Sequence, residues 1–365
     1  MIEPDAQSAY PSPALDEDTC RIYRPPAPAE TRPDPMVHLV RIARERPLRV
    51  GVLSGLGYTN LKGDLARTTE HLRTLPHVPH RVVKTPPEVG AALDEFAASA
   101  IDVVAVSGGD GTVSMVVTQL LARPATAQRP VIALLEGGRT NMTAGDVGIR
   151  GNQIKALKKL VRRADNRELE GTTLLTRTVL GVGSPGKPPA CGFFVGGGAI
   201  YQGSLETWSF RDKSRLPGMT TGLGTAASVV KLVAAHVISR SAFAPSRLEL
   251  TMDGETSDET SWCVVFATTL QRMAMGIFPF WAESEGAIRL TAVAHKHRHL
   301  LRAALPGLRG KSSRHLSSEY GYHSHNANHI DIKLEDGLTL DGEIIRPDHD
   351  ILRLRVAGEV TFIRP

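Results

Sequence analysis

One segment in the first half of the chain restricts the possible folds more than any other. Residues Ile101 to Val106 (IDVVAV) form a continuous β-branched run, and Ser107 to Thr112 (SGGDGT) follow at once. The run predicts a strand buried on both faces, and the pattern from Thr112 to Leu121 predicts a helix. Strand, glycine loop and helix in this order are typical of a parallel α/β sheet, whose ligands bind beyond the carboxyl ends of the strands.

The glycine loop has the composition of a phosphate-binding turn. Gly108, Gly109 and Gly111 lack a Cβ, so the backbone can take positive φ and approach a ligand closely, and its N–H groups can then bind phosphate oxygens. Thr112 is predicted to cap the following helix. Asp110 would repel bound phosphates unless it contacted a metal, a water or a hydroxyl, so we expect it to bind Mg²⁺ or to position a nucleotide. The alternative is a tight turn that Asp110 merely caps.

Strands and helices alternate on both sides of this loop. Residues 1–46 are Pro-rich with few large apolar side chains, so we predict a disordered arm there. Residues 47–168 are predicted to form an α/β nucleotide-binding domain. Its further elements are strands at Leu48 to Leu53 and Val131 to Leu135, glycine turns at Ser54 to Gly57 and Gly137 to Gly138, and helices at Lys62 to Leu75 and Asn152 to Arg163.

Strand-like runs dominate from about Glu170 onwards. We therefore predict an antiparallel β domain over residues 169–351, with helical insertions at Gly222 to Ile238 and His295 to Leu305. The expected strands are Leu174 to Leu180, Cys191 to Val195, Arg247 to Met252, Trp262 to Thr268, Ala287 to Ala294, His329 to Leu334 and Leu352 to Val356.

Composition narrows the class of protein. The 365 residues carry a formal net charge of +5, which favours anionic partners such as phosphates or acidic membranes; no nucleic-acid partner is expected. Three scattered cysteines do not form a disulfide framework. Neither the P-loop motif nor the protein-kinase motifs occur. Since the first residues resemble no signal peptide, we expect a cytoplasmic protein.

Four stretches together resemble the diacylglycerol kinase catalytic-domain superfamily, which includes bacterial lipid kinases and the ceramide and sphingosine kinases. They are Asp102 to Thr112, Gly137 to Ala144 (GGRTNMTA), Gly196 to Tyr201 (GGGAIY) and Leu340 to Glu343 (LDGE). The resemblance implies an α/β nucleotide-binding domain of the NAD kinase/diacylglycerol kinase type and a C-terminal antiparallel β-sandwich. It also implies that a final strand, at about residues 352–365, returns to the first domain.

The same resemblance implies a chemistry. It gives ATP as donor, Mg²⁺ as metal and a lipid hydroxyl as acceptor, with Asp341 as general base and Glu343 assisting it. Glu343 is expected on the same side of an extended segment as Asp341. Beside the loop at Gly108 to Thr112, the implied nucleotide contacts are Ser54, Asn60, Gly138, Thr140 and Asn141.

The sequence departs from the family pattern at two carboxylates. Met142 stands where the family has an aspartate, and Ala199 or Ile200 stands where it has another. These departures favour a divergent branch acting on a ceramide or sphingoid base rather than on diacylglycerol. An NAD kinase-like enzyme and an inactive nucleotide- or lipid-binding regulator remain alternatives.

Two basic, partly apolar segments suit an anionic membrane surface, from which a lipid substrate would be taken. One is Leu216 to Ile238; the other runs from His295 to Arg302 and on through Arg309, Lys311 and Arg314. The alternative is a solvated cationic face. We therefore expect peripheral membrane association, and a homodimer is left open.

Overall fold

The folded part of the chain begins earlier than predicted. A computed structural model describes residues 34–365 apart from 57–60, 125–128, 138–140, 206–244 and 274–275, with the backbone alone at 61–64. Helix α1 (Pro35–Glu45) starts behind the Asp34 cap and buries Leu39, Ile42 and Ala43. The boundary predicted at residue 46 is therefore wrong, because these three residues share one helical face that packs on the core.

The first domain is a parallel sheet flanked by helices. Its strands run in the order β2-β1-β3-β4. They are β1 (Val50–Gly55), β2 (His80–Val83), β3 (Val103–Gly108) and β4 (Val131–Glu136), and the helices after α1 are α2 (Leu61–Arg73), α3 (Pro86–Ala98), α4 (Asp110–Leu121), α5 (Met142–Val147) and α6 (Gln153–Asp165). The strands and helices predicted in this domain are present within a few residues of their predicted bounds, whereas β2, α3 and α5 were not predicted. The two predicted glycine turns extend into residues outside the described ones.

Strand β3 is buried on both faces, as its sequence predicts. Val104 and Val106 belong to the core beneath α3 and α4. Val103 and Ala105 point to the opposite core, beneath α1 and α6. Packing on both sides fixes the carboxyl end of β3, which leads directly into the glycine loop.

The second domain is an antiparallel β-sandwich. One layer has the order β5-β16-β13-β8 and the other β15-β14-β7-β10-β11-β12. Its strands are β5 (Thr173–Gly183), β6 (Ala190–Gly192), β7 (Phe194–Gly198), β8 (Ser246–Met252), β9 (Glu255–Thr256), β10 (Ser261–Thr268), β11 (Ile288–Ala294), β12 (Tyr322–Ala327), β13 (His329–Leu334), β14 (Leu338–Leu340), β15 (Glu343–Ile345) and β16 (Ile351–Arg364). Leu180, Trp262 and Ile332 lie in the shared core between the layers.

Several boundaries in this domain differ from the prediction. Phe193 interrupts the strand expected at Cys191 to Val195 and separates β6 from β7. The helix expected from His295 starts later, as α7 (Leu300–Leu308), because His299 has a left-handed φ of 55° that no helix can continue. The predicted insertion at Gly222 to Ile238 lies outside the described residues. Among the residues that the structure describes, no helix is long and apolar enough to span a membrane.

The last strand joins the two domains. β16 pairs antiparallel with β5 from Arg353 opposite Gly183 to Arg364 opposite Thr173. Near its end, Phe362 pairs in parallel with Ile132 of β4. The chain thus leaves the sandwich and completes the nucleotide-domain sheet with its final residues.

Candidate functional site

The glycine loop forms the start of a helix and has no unusual backbone angles. Gly109 is the N-cap of α4 with φ −88°, and neither Gly108 nor Gly111 has a positive φ. The positive φ that glycine permits is therefore not used at these positions. Glycine is required here by close contacts, since a Cβ on Gly108 would lie 2.6 Å from Thr112 Oγ1. Thr112 N and Val113 N donate to the carbonyl oxygen of Gly109 at 3.0 and 3.2 Å, and the start of α4, whose dipole favours an anion, lies at the carboxyl edge of the sheet directly after β3.

Thr112 has a packing role instead of the predicted capping role. It lies within the first turn of α4 and is buried. Its side chain fills the space that side chains on Gly55 and Gly108 would need, at the ends of β1 and β3. Thr112 therefore sets how closely α4 approaches the two strands.

Asp110 connects the glycine loop to the next loop of the nucleotide domain. Its carboxylate accepts hydrogen bonds from Met142 N at 3.1 Å and Thr143 N at 2.9 Å, the first residues of α5. Asn141 precedes them in a left-handed conformation with φ 48°. Asp110 thus caps α5 across space, and burial raises the pKa of its carboxyl group despite these backbone donors.

Asp341 occupies a two-residue hairpin turn that aims its carboxylate inward. Leu340 and Glu343 pair as the ends of β14 and β15, and both Asp341 (φ 50°) and Gly342 (φ 88°) have positive φ. Such angles define the tight turns for which Asp-Gly is preferred. Glu343 therefore begins β15 opposite Leu340, and Asp341 lies in the turn between them. The prediction of an extended segment from Asp341 to Glu343 is wrong.

Backbone groups of the neighbouring strand hold the Asp341 carboxylate. It accepts from Phe193 N at 3.0 Å and Phe194 N at 2.9 Å, while Asp341 N donates to the carbonyl oxygen of Phe194 at 2.8 Å. A Cβ on Gly192 would clash with this carboxylate. These partners were not predicted, because every residue type except proline has a backbone N–H group and the sequence does not show which of them a side chain will contact.

Three carboxylates from both domains converge at the start of α4. Glu343 reaches the glycine loop, since its Oε1 would lie 3.0 Å from a Cβ on Gly111. The pKa of Asp341 is raised well above the usual range, first by burial and then by the negative charge of Asp110. A carboxyl group with a pKa raised in this way, beside the start of α4, is a candidate proton acceptor.

The remaining residues predicted to contact the nucleotide lie at the end of β1, at the start of α5 or outside the described residues. Ser54 is buried at the end of β1, and its Oγ lies 2.9 Å from His80 Nε2. Asn141 is beside the Asp110 carboxylate, at the start of α5. Asn60, Gly138 and Thr140 fall outside the part of the chain that the structure describes.

A buried ion pair that the sequence did not indicate fixes α5 against the second domain. Arg177 of β5 forms two bonds to Asp146, Nε to Oδ2 at 2.7 Å and Nη2 to Oδ1 at 3.1 Å. Gln271 N donates to the same carboxylate at 3.0 Å. The ion pair therefore holds the helix that Asp110 caps.

Comparison with known protein families defines the class of protein. Residues 50–170 match the family model described as the diacylglycerol kinase catalytic domain, from β1 to the segment before β5. The match covers the nucleotide-binding domain, and together with the four motifs it supports a kinase of the diacylglycerol kinase catalytic-domain superfamily. A comparison with curated proteins finds no match.

Solved structures share the fold over most of the chain. A diacylglycerol kinase from Bacillus anthracis strain Sterne is 17% identical, with a TM-score of 0.52 over 86% of this chain and 96% of that one. Two structures of candidate diacylglycerol kinases from the same organism have TM-scores of 0.55 and 0.54 at 17% and 18% identity. They cover 86% and 87% of this chain and 97% of their own chains. The predicted fold class, an α/β domain followed by a β-sandwich, is confirmed.

Proposed function

We propose that this kinase transfers the γ-phosphoryl group of ATP to the hydroxyl group of a lipid. The observation that carries the proposal is the position of the Asp341 carboxylate, held by two backbone N–H groups and electrostatically coupled to Asp110 at the phosphate-binding helix start. Phosphoryl transfer needs positioned phosphates and an acceptor for the hydroxyl proton. In the proposal, the nucleotide domain orients the phosphates and the second domain provides the proton acceptor.

In the proposed reaction, the backbone from Gly108 to Thr112 orients the ATP phosphates. The lipid hydroxyl oxygen forms a bond to the γ-phosphorus while the bond from that phosphorus to the β–γ bridging oxygen breaks. The hydroxyl proton passes to Asp341, and ADP leaves with the bridging oxygen. Glu343, beside Gly111, assists by orienting the acceptor.

The residues present fit magnesium held jointly with nucleotide phosphates. Within the described residues, no group of three or more His, Cys, Asp or Glu side chains is arranged to hold a metal alone. Mg²⁺ usually takes only one or two protein carboxylates and completes its shell with phosphates and water. Asp110 and Glu343 would supply those oxygens, and the ion would neutralise charge on the transferring group.

The acceptor is proposed to be a ceramide or sphingoid base, with diacylglycerol second. Met142 gives only its backbone N–H to Asp110, so the carboxylate found there in the family is replaced by an apolar side chain. Ala199 is buried directly after β7. Both changes alter the family's carboxylate network rather than the phosphate loop or Asp341.

A lipid panel tests the function directly. Purified protein is incubated with labelled ATP, a divalent metal and, separately, diacylglycerol, monoacylglycerol, ceramide, sphingosine or NAD. We expect a phosphorylated lipid, and the proposal fails if every lipid remains unlabelled with each metal. Formation of NADP alone would instead identify an NAD kinase, and ATP binding without any product would identify a regulator.

The raised pKa of Asp341 predicts the pH dependence of the reaction. The carboxyl group of Asp341 accepts a proton only when it is ionised. We therefore expect kcat/KM to rise with pH and to level off above the raised pKa of Asp341, which is higher than that of an ordinary aspartate. Asp110→Asn removes a negative charge that raises the pKa of Asp341, so the rise in kcat/KM should occur at lower pH in this variant, whatever happens to the maximal rate. The measurement is kcat/KM against pH for both proteins. An unshifted limb would show that Asp110 does not act on the titrating group.

A further inference from the structure

Helix α7 presents an apolar face to solvent. Leu301, Leu305 and Leu308 are 88%, 57% and 44% exposed. Their spacing of four and three residues places them on one side of the helix, opposite the buried Ala303 and Gly307. Singly exposed leucines are common, but three in one row on a nine-residue helix form a patch.

Cations surround this patch. Residues 295–318 contain six Lys and Arg residues and no Asp or Glu. All six side chains are exposed: Lys296, Arg298, Arg302, Arg309, Lys311 and Arg314. The nearest acidic residues along the chain are Glu285 on the N-terminal side and Glu319, which directly follows the segment. An apolar row within a wholly cationic segment is complementary to an anionic bilayer, which offers both acyl chains and negative headgroups.

An aromatic row connects α7 to the Asp341 turn. Phe278 N donates to the carbonyl oxygen of Leu308 at 3.0 Å. Four phenylalanine rings then follow one another. The ring centroids of Phe278 and Phe280 are 5.3 Å apart, those of Phe280 and Phe266 are 5.5 Å apart, and those of Phe266 and Phe194 are 6.3 Å apart. Phe194 in turn donates its N–H to the Asp341 carboxylate. The exposed face and the proton acceptor thus belong to one packed apolar unit.

We propose that α7 and its flanking cations dock this protein on anionic membranes, with Leu301, Leu305 and Leu308 inserted between headgroups. Arg298, Arg302, Arg309 and Lys311 then contact lipid phosphates. Docking in this way brings the aromatic row, and with it Asp341, to the membrane that holds the acceptor. This last step rests on the proposed function, whereas the docking itself does not.

The test measures binding of the full chain to phosphatidylcholine vesicles with and without phosphatidylglycerol. Leu301→Gln combined with Leu305→Gln should weaken binding roughly tenfold or more, because burying even one leucine is worth at least that factor. Arg302→Gln and Arg309→Gln should each cost about fivefold on anionic vesicles and little on neutral ones. Glutamine is nearly as good a helix former as leucine or arginine, so α7 should persist.

A matched pair on α6 provides the control. Lys158→Gln and Arg162→Gln also remove exposed cations, but α6 has no exposed large apolar residue. If these changes weaken vesicle binding as much as the α7 changes, the docking proposal is overturned. It is also overturned if the leucine variant leaves vesicle binding intact and changes the oligomeric state, since the patch would then cover a second copy. Vesicle binding needs no turnover, so an inactive enzyme that binds through α7 would contradict only the proposed function.

Discussion

Asp341→Asn should lower turnover by about 10²- to 10⁴-fold, the range that a general base contributes. Asparagine has nearly the same shape and tolerates the left-handed φ of 50° at this position, so the hairpin turn should remain. Its side-chain oxygen can still accept from Phe193 N or Phe194 N. What is lost is the negative charge that receives the hydroxyl proton.

The measurement separates binding from chemistry. ATP affinity, followed by calorimetry, should stay near that of the unchanged protein, because the phosphate loop belongs to the other domain. Asp348→Asn is the matched control, since Asp348 follows in the same segment but forms an exposed ion pair with Lys187 at 2.9 Å. Full turnover in Asp341→Asn would remove Asp341 from the role of proton acceptor.

Asp146→Ala should lower the free energy of unfolding by about 3–5 kcal/mol, the usual cost of leaving one partner of a buried ion pair alone. Asp146 is 2% exposed and Arg177 is 7% exposed, so water cannot replace the lost carboxylate. Gln271 N would lose its acceptor as well. Asp146 also favours the charged form of the partly buried Arg289, whose pKa burial lowers.

Urea unfolding measures the effect, with Asp94→Ala as the control. Asp94 pairs with Arg123 at 2.6 Å, but its side chain is 78% exposed. Exposed pairs contribute about 0–1 kcal/mol, so the control should be nearly neutral. Adding Arg177→Met to Asp146→Ala should restore part of the loss, because a buried charge is then removed with its partner. Equal destabilisation by Asp94→Ala and Asp146→Ala would refute this account of the pair.

The sequence predicted those parts of the site that depend on local patterns. The β-branched run before the loop correctly located β3. A strand that is covered on both faces is apolar along its whole length, so its sequence is a continuous apolar run rather than an alternation of apolar and polar residues. Asp341 was found only through the resemblance of Leu340 to Glu343 to a family motif. Its contact with the Phe193 and Phe194 backbone depends on the pairing of β14 with β7, which no local pattern specifies.

Other features were missed although a signal was present. Helix α3 begins with Thr85, two prolines and Glu88, whose carboxylate accepts from Lys84 N at 2.6 Å, so a capping signature stands in the sequence. Helix α1 was missed because the residues before it are rich in proline, and the whole stretch up to residue 46 was therefore predicted to be disordered. Glu343 was assigned to the wrong geometry because Asp-Gly favours a two-residue turn, and a turn reverses the side-chain alternation assumed for a strand.

The pairing of β16 with β4 has a consequence for synthesis of the chain. β4 is the edge of the nucleotide-domain sheet until Phe362 pairs with Ile132, and the whole β-sandwich lies between these two residues in the sequence. An unpaired strand edge is a site for wrong association. While the sandwich is being translated, the edge of β4 therefore stays open, and a chain cut before Phe362 would leave that edge permanently exposed.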